Sequence, residues 1–143
     1  MIFTSSIRLT LVCTLLSCVL GCGPSYHVAE VDGVLLVQGK PAPKVQLQFM
    51  PDIDAQTTGP VSFGETDAQG KFSLNLRVPN SSENPPGAVV GSHRVVLTDM
   101  ELAASATGRG VPIRFGPEYS SIASTPLKQV IKEGKQTIEL HVP

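Results

Sequence analysis

The sequence predicts an all-β fold, an antiparallel sandwich of six or seven short strands, on three observations. Apolar and polar residues alternate with a period of two in several runs after residue 28, as in strands with one buried face. The 13 glycines and 12 prolines help to separate these runs, at the roughly ten-residue intervals typical of sandwiches. No run has the period of a long helix, which argues against helical bundles and α/β folds.

The first two runs each place apolar residues on a single face. The inward sets are Val31, Gly33, Leu35 and Val37, and then Val45, Leu47 and Phe49. Residues 38–41 form the turn between them, because Gly39 permits a positive φ and Pro41 fixes its own. Polar residues alternate with the second set, so one face of that strand is expected to be exposed.

A hairpin is predicted around the sequence Asp67-Ala68-Gln69-Gly70, with residues 62–66 as its first strand. Asp67 can accept hydrogen bonds from the backbone that follows it, and Gly70 can adopt the left-handed conformation that closes the turn. The inward residues of the strand after the turn are Phe72, Leu74, Leu76 and Val78.

Two polar loops flank this hairpin, residues 52–60 and residues 79–87. The strand that follows the second loop occupies residues 88–99. It directs Val95 and Leu97 toward the core and places Arg94, Val96 and Thr98 on the other face.

The last part of the chain predicts one helical turn and a final hairpin. The helical turn lies within residues 101–106, since the glycines of Gly108-Arg109-Gly110 argue against a longer helix. The hairpin begins with residues 127–132 and turns at residues 133–135. Its second strand buries Ile138, Leu140 and Val142. Gln129 interrupts the inward alternation, which indicates a sheet edge or a bulge.

The first 21 residues have the layout of an export signal. Arg8 is the only charged residue before an apolar run at residues 9–20. This run is shorter than the roughly 20 residues that a membrane-spanning helix needs, and it suits the apolar region of a secretory signal. We therefore predict that residues 1–21 are a signal peptide that is removed.

The apolar run ends in Val19-Leu20-Gly21-Cys22, which resembles the lipobox of bacterial lipoproteins. The resemblance implies that Cys22 carries acyl chains such as palmitate and anchors the chain in a membrane. A second match to the lipobox ends at Cys18, but cleavage there would leave Val19-Leu20 on the mature chain as an apolar stub. The other alternative is a plain secretory signal without lipidation. Under the usual sorting rule for lipoproteins, Asp directly after the lipidated cysteine favours retention at the inner membrane. Gly23 occupies this position here, which favours the outer membrane, with the domain facing the periplasm or the cell surface.

These features divide the chain into a signal peptide at residues 1–21, a lipidated tether at residues 22–28 and one domain at residues 29–143. Cys13 and Cys18 lie in the signal peptide, so the mature chain is expected to have no disulfide. Charged residues make up 16% of the chain and the net charge is −1, which provides no basic surface for nucleic acid.

The order of turns and strand faces resembles the carboxypeptidase-regulatory-like domain, of transthyretin type, that small bacterial lipoproteins carry. The matching segments are Val31-x-Gly33-x-Leu35, Gly39-Lys40-Pro41, Val45-x-Leu47-x-Phe49-x-Pro51, Thr66-Asp67-x-x-Gly70-Lys71-Phe72-x-Leu74, Gly87-Ala88-x-x-Gly91-x-His93-Arg94-Val95-x-Leu97, Val111-Pro112, Pro117-x-Tyr119, Thr125-Pro126-Leu127 and the hairpin at Gly134. The resemblance implies a seven-stranded prealbumin-like sandwich with an accessory or binding role, and it implies no particular activity.

No catalytic residue, metal site or cofactor is predicted. Asp67-x-x-Gly70 is a turn and not a calcium loop, because such a loop needs several oxygen ligands in a defined span and only one carboxylate is present. Asp52 and Asp54 are expected in a solvated polar loop near Glu65 and Asp67, and a weak, exposed calcium site is the alternative. The three histidines are His27, His93 and His141. None of them is spaced as a zinc pair, and His93 is expected at the rim of the core.

Two other function classes are alternatives. Transthyretin-related hydroxyisourate hydrolases use His and Arg side chains with a Tyr-Arg-Gly-Ser sequence, which this chain lacks. A carbohydrate-binding module usually stacks sugars on exposed aromatic rings. This chain has no Trp and two tyrosines, Tyr26 and Tyr119.

Residues 100–121 form the candidate interaction loop, because loops on a rigid scaffold often carry function. Its candidate residues are Arg109, Arg114, Phe115 and Tyr119. Alternatively the loop only connects the sheets, with Val111, Ile113 and Tyr119 covering the edge of the core. The sequence thus predicts a non-enzymatic, lipid-anchored β-sandwich module of the cell envelope, whose partner is an envelope protein or a glycan.

Overall fold

The computed structural model describes Gly23 and residues 25–143. The predicted signal peptide, residues 1–21, and the predicted lipidation site Cys22 lie outside the described residues. Within them the protein is nearly all β, as the sequence predicts, with one short α-helix. No helix in this part of the chain is long and apolar enough to cross a membrane.

Residues 25–143 contain eleven strands, one α-helix and two 3-10 turns. The strands are β1 (Val28–Ala29), β2 (Val31–Val37), β3 (Lys40–Pro41), β4 (Val45–Pro51), β5 (Ser62–Glu65), β6 (Lys71–Ser73), β7 (Asn75–Leu76), β8 (Ala88–Val89), β9 (Gly91–Asp99), β10 (Lys128–Ile131) and β11 (Gln136–Val142). The helix is α1 (Met100–Ala104), and the 3-10 turns cover Ile53–Ala55 and Pro117–Ser120. The predicted helical turn is therefore present, as α1.

Five strands form an antiparallel sheet in the order β10-β9-β4-β5-β7. Its centre is the long pairing of β4 with β9, in which Leu47 lies opposite Leu97 and Phe49 lies opposite Val95. All four side chains are fully buried. Every second residue of a strand points to the same face, and here that face is the core. The predicted alternation is confirmed for both strands.

The second sheet is centred on β2, which pairs with β11 along one edge and with β3 and β6 along the other. β11 runs parallel to β2 over seven residues, from Gln136 opposite Val31 to Val142 opposite Val37. The prediction of a wholly antiparallel sandwich is wrong for this pair. A separate two-stranded ribbon joins β1 to β8.

The final hairpin predicted from residues 127–132 and 136–142 does not form. β10 pairs with β9, whereas β11 joins β2 in the other sheet. Residues 132–135 therefore cross between the sheets, and they do so at the end of the molecule where β2 begins. Because β11 starts at the same end as β2, the two strands run parallel. Ile131 and Ile138 are both buried in the core, so the inward alternation is the same as in a hairpin. β10 is an edge strand, as Gln129 indicated.

The turn at Asp67 forms as predicted. The Asp67 carboxylate accepts hydrogen bonds from the backbone N–H groups of Gln69 and Lys71, both at 2.9 Å, and Gly70 has a φ of +72°. The strand after the turn changes sheets at Leu74, since β6 pairs with β2 and β7 pairs with β5. The hairpin is thus divided between the two sheets and closes one side of the sandwich.

The two sheets enclose one apolar core, which contains residues from β2, β4, β6, β9 and β11. β2 lies especially close to its neighbours at Gly33. A Cβ atom at this position would lie 2.8 Å from the backbone oxygen of Ile138 and would also collide with the ring of Phe72. The apolar face of β2 therefore includes a glycine because no side chain fits there.

We call the two ends of the sandwich the tether end and the far end. At the tether end, β1 meets β8 and the backbone N–H of Val90 donates to the carbonyl oxygen of His27 at 2.8 Å. At the far end, β9 finishes with Asp99 and α1 begins. β9 has nine residues, so at about 3.3 Å per residue the two ends are roughly 26 Å apart.

Candidate functional site

The candidate interaction loop, residues 100–121, closes the far end of the sandwich. Arg109 is exposed, Arg114 and Phe115 are half-buried, and Tyr119 is buried with 7% of its area exposed. Arg109 therefore faces solvent, and the side chains of the other three contribute to the packing of the loop.

Arg114 connects the loop to two strand ends. Its Nε and one terminal nitrogen donate to the two carboxylate oxygens of Asp99 at 2.7 and 2.6 Å. The other terminal nitrogen donates to the backbone oxygen of Pro43 at 2.6 Å. Two parallel bonds from a guanidinium to a carboxylate fix both groups in one plane. Since Asp99 is only 8% exposed, Arg114 also supplies the counter-charge that a buried carboxylate requires.

Asp99 also begins α1. Its Oδ1 accepts hydrogen bonds from the backbone N–H groups of Glu101 and Leu102, at 3.0 and 3.2 Å, so Asp99 is the N-cap of the helix. Burial opposes ionisation, but the hydrogen bonds and charge of Arg114 and the two N–H groups outweigh it and lower the pKa of Asp99. The hydrogen bond to Asp99 likewise raises the pKa of Arg114. One carboxylate thus holds both α1 and the returning loop.

A groove with a volume of about 440 Å³ opens between α1 and the returning loop, and we call it the α1 groove. Its lining residues are Thr98, Asp99, Leu102, Ala103, Ile113, Arg114, Phe115, Pro117 and Ser120. Five of them are apolar, and Ile113, which is 77% exposed, extends the apolar lining to the surface. The two charged residues of the lining, Asp99 and Arg114, neutralise each other.

Phe115 and Tyr119 connect the α1 groove to the core. Their ring centroids are 6.2 Å apart and the ring planes meet at 77°, an edge-to-face pair. Tyr119 belongs to the core cluster, and Phe115 packs against that cluster. The groove wall is therefore supported by the core.

The four carboxylates considered for calcium are not brought together. Asp52 and Asp54 lie at the tether end, where they pair with Arg94 at 3.3 and 2.6 Å. Glu65 and Asp67 lie toward the far end, beside the start of β4. Within the described residues no group of three or more His, Cys, Asp or Glu side chains could hold a metal ion.

His93 lies inside the core, not at its rim as the sequence suggested. The side chain is fully buried, with Nδ1 3.1 Å from the carbonyl oxygen of Gly91, and Nε2 has no hydrogen-bond partner among the described residues. A carbonyl oxygen can only accept, so this contact assigns a proton to Nδ1. Burial lowers the pKa of His93, and the hydrogen bond to Gly91 opposes this effect. His27 and His141 are exposed.

Asp99 and Leu102 complete the α1 groove, and neither was among the candidate residues predicted from the sequence. A signal for Asp99 was present, because Asp before a helical turn with Glu101 in the first turn is typical of an N-cap. Asp99 and Arg114 are fifteen residues apart in the chain. They pair because the loop folds back toward the end of β9, and no sequence pattern predicts that path.

Comparison of the chain with protein-family models, curated proteins and solved structures returned no match. The resemblance to carboxypeptidase-regulatory-like domains therefore stays a prediction. The α1 groove is the part of the structure from which a function can be argued.

Proposed function

We propose that this chain is a non-enzymatic, lipid-anchored module of the cell envelope that binds an apolar segment of another envelope protein in the α1 groove. In this proposal Cys22 carries the acyl chains, residues 22–28 are the tether and residues 29–143 form a prealbumin-like sandwich of the carboxypeptidase-regulatory-like type. The outer membrane is the favoured location.

The position of the α1 groove is the observation that carries the proposal. The described chain enters the sandwich at the tether end, whereas the groove lies at the far end, roughly 26 Å away along the nine residues of β9. An anchor at Cys22 would hold the tether end near the membrane and leave the groove accessible. This arrangement suits a module that presents a binding surface to other proteins.

The lining of the α1 groove favours an apolar peptide over a sugar or a charged ligand. Sugars usually stack on exposed aromatic rings, but Tyr119 is buried and Phe115 is half-buried against it. Asp99 and Arg114 satisfy each other, so the lining offers no free charge. Histidine is absent from the lining, which does not support a hydrolase.

Substitution of Cys22 by serine tests the anchor. Each acyl methylene buried in a membrane contributes about 0.8 kcal/mol, so Cys22→Ser should move the protein from the membrane fraction to the soluble fraction, as measured by immunoblotting. Cys18→Ser is the matched control and should remain with the membranes. Release of Cys18→Ser alone would assign lipidation to Cys18, and retention of both variants would contradict the lipid anchor.

A photo-crosslinking amino acid at Ile113 tests the α1 groove in intact envelopes. We expect an adduct with an apolar segment of an envelope protein, identified by mass spectrometry. The same amino acid at Val130, which is 54% exposed and lies outside the groove, is the control. Leu102→Glu adds a charge to the lining and should abolish the Ile113 adduct. Equal adducts at both positions, adducts with glycan, or indifference to Leu102→Glu would contradict the proposal.

A further inference from the structure

Exposed apolar side chains are concentrated toward the tether end. Of the five large hydrophobic residues that are exposed in the described part of the chain, Ile113 lies at the far end. The other four are Val28, Ile53, Ile122 and Val130. They lie on or beside β1 and the first residues of β9, and the α1 groove does not account for them.

Ile53 and Ile122 border a shallow apolar groove of about 260 Å³, whose lining also includes Met50, Pro51 and Val61. We call these five residues the Ile53–Ile122 face. The loop of residues 57–59 forms one side of this groove, and Ser25, Tyr26 and His27 of the tether lie beside the same loop. A Cβ atom on Gly59 would lie 3.3 Å from the Tyr26 ring. The loop of residues 57–59 therefore lies between the Ile53–Ile122 face and the tether.

The charged residues beside the Ile53–Ile122 face neutralise one another. Arg94 pairs with both Asp52 and Asp54, and the Nζ atom of Lys128 lies 3.9 Å from an Asp52 carboxylate oxygen. Two cations thus face two carboxylates. A neutral face of this kind is not repelled by an anionic lipid surface, which would oppose an unpaired cluster of carboxylates.

The tether is too short to hold the domain far from its anchor. Three residue steps separate Cys22 from Ser25. An extended chain spans at most about 3.6 Å per residue, so Ser25 would lie within roughly 11 Å of a lipidated Cys22. A surface one loop away from Ser25 is then close to the lipid headgroups.

We propose that the Ile53–Ile122 face rests on the lipid surface into which the acyl chains of Cys22 insert. This inference rests on the proposed lipid anchor and adds a second, weak contact that sets the orientation of the domain. A contiguous exposed apolar patch commonly marks an interaction surface, and a membrane is the surface that the short tether keeps beside this one. Asp99 and α1 then lie at the end of β9 that is farther from the anchor.

Single tryptophans test the orientation, because the chain has no Trp of its own. Ile53→Trp places the probe on the proposed membrane face, and Ile113→Trp is the matched control, since both isoleucines are 77% exposed. The full lipidated chain is reconstituted in vesicles of phosphatidylethanolamine and phosphatidylglycerol with brominated acyl chains, which quench nearby tryptophan. We expect blue-shifted, quenched emission from Ile53→Trp and unquenched emission from Ile113→Trp.

Flotation of the vesicles measures the anchor separately from the quenching. Protein that floats with the vesicles, with Ile53→Trp unquenched or with both probes equally quenched, would overturn the membrane face and leave the anchor standing. A blue shift that follows the protein-to-lipid ratio without bromine quenching would assign the face to a second copy of the chain and would also overturn the inference. Protein that does not float would overturn the anchor and the membrane face together.

Discussion

His93 occupies a buried position that favours the neutral form of its imidazole. It is fully buried, with its ring centroid 6.0 Å from that of Phe49, and its Nε2 has no partner among the described residues. An unpaired buried nitrogen is costly, and a buried imidazolium without a counter-charge would cost much more. The protonation of one residue therefore affects the stability of the whole core.

We expect the protein to lose stability as the pH falls below about 6.5, the ordinary pKa of histidine. Burial lowers the pKa of His93 in the folded protein, so below this pH the unfolded chain takes up a proton that the folded chain does not. The free energy of unfolding then decreases by up to about 1.4 kcal/mol per pH unit until the pH reaches the lowered folded pKa. Urea denaturation at a series of pH values measures this slope.

His93→Leu should remove most of that slope, whereas His141→Gln should retain it because His141 is exposed. The two variants therefore separate the effect of the buried histidine from that of histidine titration in general. A wild-type slope in His93→Leu would show that His93 does not control the acid response.

Arg114 provides a second prediction at the scale of one residue. Arg114→Met would leave the Asp99 carboxylate, 8% exposed, without its charged partner. Loss of one partner of a buried hydrogen-bonded pair costs about 1–3 kcal/mol, which urea denaturation should detect. Arg109→Met is the matched control. Arg109 is exposed, and surface substitutions usually change stability by less than about 0.5 kcal/mol. Equal effects of the two variants would contradict a structural role for the Asp99–Arg114 pair.

At the scale of elements, two turn glycines distinguish backbone strain from steric clash. Gly39 and Gly70 have φ angles of +74° and +72°. A Cβ on Gly39 would have no neighbour within 4 Å, whereas on Gly70 it would lie 2.8 Å from the backbone oxygen of Leu35. Gly39→Ala should therefore cost only the left-handed strain, about 1–2 kcal/mol. Gly70→Ala should cost clearly more in thermal or urea denaturation. Equal losses would indicate that the Asp67 turn relaxes around the added methyl group.

Sequence alternation predicted which residues of each strand face the core, but it did not predict which strands pair. The inward residues of β4 and β9 were recognised because a period of two is a local property of the chain. The parallel pairing of β11 with β2 is non-local. It arises because β10 finishes at the end of the sandwich where β2 begins, so β11 starts beside the start of β2. The same limit applies to β6 and β7, which alternate as one strand although the chain changes sheets between them.

At the scale of the whole molecule, the candidate site was predicted as a loop but not as a groove. The irregular composition of residues 100–121 was enough to select the loop. The groove wall depends on Arg114 reaching both Asp99 and Pro43, which are separate in the chain and meet only when β4 and β9 pair. Its position opposite the tether is likewise a property of the completed sandwich.

The molecule also presents a long strand edge at β11, whose seven residues end one sheet in the described part of the chain. The N–H of Gln136 donates to Glu30 and the carbonyl of Val142 accepts from Gln38. In a parallel ladder this register directs the backbone groups of Thr137, Glu139 and His141 away from β2. The side chains of these three residues are exposed. The negative charge of Glu139 on such an edge discourages pairing with other chains.

The double substitution Glu139→Thr with His141→Thr should therefore increase self-association of the full chain in detergent, because threonine favours strands and leaves the edge uncharged. Analytical ultracentrifugation over a range of concentrations measures this change. Glu118→Thr with Arg109→Thr is the matched control, since it removes two exposed side chains from the candidate loop and leaves β11 intact. The control should sediment as the wild type does. An edge variant that also sediments as the wild type would show that Glu139 and His141 do not protect β11.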